Sequence, residues 1–146
     1  MSKPGDAVIA ELERIAAENG GILKAEAVVD AARAEESVLH SRFTWDDSEA
    51  AAQYRLWQAR QLIRCSVVME PRSQTSVRAF VSLTPDRESD GGGYRATVAV
   101  MARKEHREQL LADALAELEV IEAKYKTLTE LAEVFAAARR VRRKVA

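Results

Sequence analysis

With a single cysteine, Cys65, among 146 residues, this chain has no internal disulfide, which fits a reducing compartment. Aromatic residues make up only 5% of it, so the core must be largely aliphatic. Alanine is plentiful instead, and alanine favours helices that approach one another closely. Charge of either sign hardly dominates, at 22 basic against 23 acidic side chains. That balance excludes a globally basic nucleic-acid coat and leaves only local patches. No apolar run approaches the roughly 20 residues that span a bilayer. The opening Met1-Ser-Lys-Pro-Gly5 also lacks the apolar core of a secretory signal. The expected location is therefore cytoplasmic, with no membrane partner.

Chemistry is equally sparse. His40 and His106 stand 66 positions apart without motif partners. Cys65 lies between an apolar helix and a strand, which predicts burial rather than a nucleophile. Gly91-Gly-Gly93 lacks the strand–glycine–helix order and the following lysine of a phosphate loop. Asp46, Asp47 and Glu49 precede an alanine-rich run and read as helix capping and dipole complement rather than a cation site. No catalytic residue, metal ligand or cofactor is expected.

What is present is mainly helical periodicity. Over 6–18, Val8, Ile9, Leu12, Ile15 and Ala16 recur at helical spacing, and Asn19-Gly20-Gly21 ends the run. Residues 23–33 form a second helix and Ala34-Glu35-Glu36 a tight turn, after which Ser37 caps a short helix through Phe43. Helix, turn and helix outline a DNA-binding unit, with Val38, Leu39 and Phe43 facing inward. Asp46-Asp47-Ser48 offers caps for a helix over 48–64, with Ala51, Tyr54, Trp57, Ala59 and Leu62 as core candidates. Trp45 and Trp57 read as core residues in preference to base-stacking ones.

The period then shortens. Segments 66–69, 76–83 and 94–101 are β-branched, and the last two alternate in polarity, predicting a three-stranded antiparallel meander. Residues 84–93 form a mobile loop. Beyond 103, Leu111, Ala114, Leu118, Ile121, Tyr125, Leu128, Ala132 and Phe135 alternate at spacings of three and four, the pattern of paired helices. Thr127-Leu-Thr-Glu130 matches a capping box, so this region is one helix or a pair. The expected class is α+β, in three segments: a helix-turn-helix-like unit (1–64), a β-meander (65–102) and a C-terminal oligomerisation arm (103–146).

Charge is unevenly placed. Residues 108–133 carry seven acids against two lysines, and the next segment, Arg139-Arg-Val-Arg-Arg-Lys144, holds five cations in six residues. Arg139, Arg140, Arg142, Arg143 and Lys144 are candidate phosphate contacts, whose affinity would fall with salt. In the helix pair, Lys24, Ser37, His40, Ser41 and Arg42 are the candidate DNA contacts. Arg55, Arg60 and Arg64 form a small strip beside them, read as solvated or paired with nearby acids. Leu111, Leu118, Ile121, Tyr125, Leu128 and Phe135 are the candidate oligomerisation contacts.

The segments Leu39-His-Ser-Arg-Phe-Thr-Trp-Asp-Asp47, Ala50-Ala51, Tyr54-Arg-Leu-Trp-Gln-Ala-Arg-Gln-Leu-Ile63 and Lys124-Tyr-Lys-Thr-Leu-Thr-Glu-Leu131 resemble a family of small phage and prophage proteins with an LH-x-x-F-x-W-D-D segment. The likeness runs over about 21–137, and Val38 stands where the family often has proline. The resemblance implies a phage-related DNA-transaction or regulatory setting and carries no activity. The expectation is a non-enzymatic, oligomeric DNA-binding protein that acts through backbone electrostatics. The alternative is a protein-interaction module, such as a phage assembly factor or an inhibitor of a host protein, working through its acidic, leucine-rich C-terminal helix.

Overall fold

A computed structural model describes residues 2–45 and 48–146 of the chain. Asp46 and Asp47, expected among the caps of the third helix, lie outside the described residues. The chain divides into a compact unit ending at Arg103 and a second unit, Lys104–Ala146. The helical and β segments expected separately at 1–64 and 65–102 are thus parts of one unit.

Helix α1 (Asp6–Glu18) buries Val8, Ile9, Leu12, Ile15 and Ala16 along one face. It stops at Asn19 because Gly20 and Gly21 take φ values of 67° and 85°, where a side chain is strained. Helix α2 (Ala25–Ala32) buries Ala25, Val28, Val29 and Ala32. Ser48 caps helix α3 (Glu49–Cys65), its hydroxyl accepting from the Ala51 N–H at 3.2 Å. The inward face of α3 is Arg55, Gln58, Ala59, Leu62 and Ile63. Tyr54 and Trp57, expected in the core, are 48% and 50% exposed.

The β-rich part keeps the expected chain order but not one continuous sheet. Strand β1 (Val67–Met69) pairs antiparallel with β2 (Ser76–Arg78), and β3 (Phe80–Val81) pairs with β4 (Arg95–Ala96). Ala79 is the joint. Its N–H donates to the Ser66 carbonyl at 2.9 Å, while its carbonyl accepts from the Thr97 N–H at 2.8 Å. The bend buries consecutive side chains, Ala79 and Phe80, where an unbroken strand would bury only alternate ones. The third expected strand ends at Ala96, and Thr97–Ala102 is helix α5. Phe80 joins Leu12, Leu23, Val28, Leu39, Leu62 and Ile63 in the core.

The expected mobile loop instead carries a short helix, α4 (Thr84–Glu88), with proline in its first turn. Asp86 on α4 accepts two hydrogen bonds from the Arg95 guanidinium, at 2.7 and 2.9 Å. Bonding to that carboxylate raises the Arg95 pKa above its ordinary value. Backbone pairing between Leu23 and Tyr94 then returns the chain to the helices. Gly93 is required by this approach, since a Cβ there would lie 2.6 Å from Ile22 Cγ2. Gly93→Ala is expected to cost roughly 1–3 kcal/mol from overpacking. Urea unfolding followed by tryptophan fluorescence checks it, and an unchanged midpoint would mean that Ile22 yields freely.

The second unit is a helix pair, α6 (Lys104–Tyr125) and α7 (Ala132–Val145), joined through a 3₁₀ turn at Thr129–Leu131. The pair form is therefore the one adopted. No helix among the described residues is long and apolar enough to cross a membrane.

Candidate functional site

The segment expected to be a recognition helix is only a 3₁₀ turn, His40–Arg42. Two diverted hydrogen bonds keep the turn from continuing as an α-helix. A further α-turn needs the Thr44 N–H on the His40 carbonyl. Instead Thr44 donates to Gln58 Oε1 at 3.1 Å, and the His40 carbonyl accepts from the Trp45 indole at 3.0 Å. Arg55 reinforces the loop by donating to the Thr44 carbonyl at 3.3 Å, with its guanidinium 5.4 Å from the Trp45 ring centre. Arg55 is thus buried rather than part of a surface strip. Polar α3 residues hold the backbone of this loop, so residues 37–43 do not form the second α-helix of a helix-turn-helix.

The candidate contacts in this region separate accordingly. His40 turns inward: its Nδ1 lies 2.8 Å from the Ala32 carbonyl, and its ring stacks on Trp45 at 5.0 Å. The Ser37 hydroxyl accepts from the Leu39 N–H at 3.2 Å, and Lys24 Nζ donates to the Asp90 carbonyl at 3.0 Å. Leu39 and Phe43 are buried as expected, whereas Val38 is 49% exposed. Ser41 remains exposed. Arg42 donates through Nη1 to the carbonyl and hydroxyl of Ser2 at 3.0 and 2.9 Å.

Ser41 and Arg42 border a cleft of about 480 Å³ with the outer face of α3. Tyr54, Trp57, Gln58, Gln61 and Cys65 supply the helical wall, and Ser2 lies on the Arg42 side. The Tyr54 and Trp57 rings stack at 5.5 Å and 14°. Cys65 is exposed, contrary to expectation. A signal for this face was available in the sequence. Leu62 and Ile63 sit about 140° and 120° around the helix from Trp57, so burying them turns Trp57 outward. Arg60 is half-buried and Arg64 exposed, with no ion pair for either among the described residues.

In the second unit the basic segment is part of a helix, not a loose tail. Arg139 pairs with Glu122, while Arg142 lies 3.0 Å from Glu119 and donates to the Leu115 carbonyl at 3.3 Å. These links tie α7 antiparallel to α6 and consume two of the five cations. Arg140, Arg143 and Lys144 lie on another face of α7, exposed and without an ion pair among the described residues. Phe135, expected at a subunit interface, is 4% exposed within the single chain, on the α7 face that carries Arg142. Leu118 is half-buried. Leu111, Ile121, Tyr125 and Leu128 are 38%, 42%, 39% and 47% exposed.

No group of three or more histidine, cysteine or acidic side chains suited to a metal ion occurs among the described residues. No protein-family model, curated protein or solved structure matches the chain.

Proposed function

We propose that this is a non-enzymatic, cytoplasmic DNA-binding protein that associates with itself and binds mainly through phosphate electrostatics. The observation that carries this reading is the division of cations on α7. Arg139 and Arg142 are neutralised by α6, which leaves Arg140, Arg143 and Lys144 as a compact outward cluster. Residues three and four apart share a helix face, so these charges can meet one stretch of phosphate backbone together. Ser41, Arg42 and Arg64 add polar and cationic groups on the first unit. The 3₁₀ turn at His40–Arg42 favours binding with little sequence preference, and the resemblance to phage proteins supports a phage-related role.

Replacing Arg140, Arg143 and Lys144 together by alanine is expected to weaken duplex binding. Each lost phosphate contact lowers the slope of log affinity against log salt by about 0.9, so three remove roughly 2–3. Fluorescence anisotropy of a random-sequence duplex at several salt concentrations checks this. An unchanged slope would remove α7 from the interface.

The exposed apolar stripe of α6 supports a second reading, a protein-interaction module. Leu111, Ile121 and Tyr125 on α6, and Leu128 just beyond it, are exposed large apolar side chains flanked by acids. A second copy of the chain is the occupant we favour, and a host protein is the alternative. Sedimentation of the wild type against Ile121→Glu tests self-association: an oligomer that the variant dissolves supports it. A wild type that stays monomeric at all concentrations, together with no DNA binding, leaves the stripe to another protein.

A further inference from the structure

We propose that the Tyr54–Trp57 pair is a stacking platform for an unpaired nucleobase, so that the protein holds single-stranded as well as duplex nucleic acid. The inference rests on the nucleic-acid reading above and adds the ligand's chemistry at a second, separate site. Two large rings are stacked on each other and half exposed, at 48% and 50%. Neither is needed to close the core, which Ala59, Leu62 and Ile63 complete from the other side of α3. Rings kept in water in this way gain by covering a flat partner, and every base has such a face.

The surroundings select the kind of flat partner. The cleft beside the rings, about 480 Å³, falls within the roughly 300–1,000 Å³ of small-molecule sites. No carboxylate lines it among the described residues, whereas Arg42 does. Arg42 is steadied by Ser2 through Nη1, which leaves Nε and Nη2 without hydrogen bonds among the described residues. A guanidinium presented in this way suits a phosphate oxygen, and the Gln61 amide can both donate and accept along a base edge. Arg64 lies two helical turns from Trp57, about 10 Å along α3, where a strand leaving the platform would meet another cation. A ring face, a positive group and an amide together describe a nucleotide better than an aliphatic or acidic peptide.

The test is anisotropy with labelled oligothymidylate, compared with an abasic strand of equal length and a duplex, at low salt. Base stacking on an aromatic side chain is strong enough that Tyr54→Ala with Trp57→Ala is expected to weaken oligothymidylate binding about tenfold or more. The same change should leave the abasic strand and the duplex unaffected. Trp57→Phe, which keeps a ring, should restore part of the loss and show that the fold is intact. Equal binding of thymidylate and abasic strands by the wild type would overturn the platform, as would a double variant with unchanged affinity. If duplex binding persists in those cases, the proposed function stands without the platform. No binding to any of the three ligands would overturn both. Thymidine monophosphate competing as well as the oligomer at equal concentration would also overturn the strand reading, making the cleft a mononucleotide site.

Discussion

Phe80→Ala is expected to destabilise the first unit by about 3–5 kcal/mol, the range for deleting a fully buried aromatic ring. Phe80 is the largest side chain with no exposed surface, and it is packed where β3 meets the helices. The neighbouring bend at Ala79 fixes its direction through backbone bonds to Ser66 and Thr97, which limits how far the site can collapse into the void. Trp45 and Trp57 both belong to this unit. Urea unfolding followed by tryptophan fluorescence therefore reports on it without interference from the helix pair. A loss below about 1 kcal/mol would mean that the surrounding leucines close the cavity.

Asp86→Ala is the second large effect. It leaves the Arg95 guanidinium facing a partly buried site without its carboxylate, after losing two hydrogen bonds of 2.7 and 2.9 Å. Removing one partner of a fully buried pair costs roughly 3–5 kcal/mol. The Arg95 side chain keeps 23% of its surface in water, so about 2 kcal/mol is the expected loss. Asp86→Leu combined with Arg95→Met should recover most of it, because the penalty comes from an unpaired charge rather than a missing attraction. A double variant no better than the single one would show that the pair itself, rather than the uncompensated charge, holds α4 down. The proposed phosphate contacts on α7 lie in the other unit, and Arg42 and Arg64 are untouched by either change, so the salt dependence of duplex binding should stay the same wherever the first unit remains folded.

Local rules accounted for the elements that need no distant partner. The apolar spacing of Val8, Ile9, Leu12 and Ile15 with two following glycines specifies α1 and its end. Ser48 before Glu49 specifies the start of α3, while the break between α6 and α7 falls at Thr127–Glu130 without the side-chain cap that pattern predicts, the residue before α7 being Leu131. The α+β class follows from the change of period after residue 65. These features depend on backbone hydrogen bonds closed within a few residues, which is why they are legible in one dimension.

The candidate site was decided by contacts that no local pattern encodes. Gln58 and Arg55 are polar residues that a hydrophobicity reading assigns to solvent, yet they lie inside because the Thr44 backbone needs their hydrogen bonds. Their inward turn opens the 37–43 helix into a 3₁₀ turn and carries Tyr54 and Trp57 to the surface. On α7 the five consecutive-looking cations are alike by sequence. Only the antiparallel return of the helix brings Glu119 and Glu122 to Arg142 and Arg139, leaving Arg140, Arg143 and Lys144 outward. The sequence by itself determined which residues can be helical and where charge accumulates. Tertiary structure alone decided which charges and rings remain available, because availability depends on partners 11 to 23 positions away in the chain.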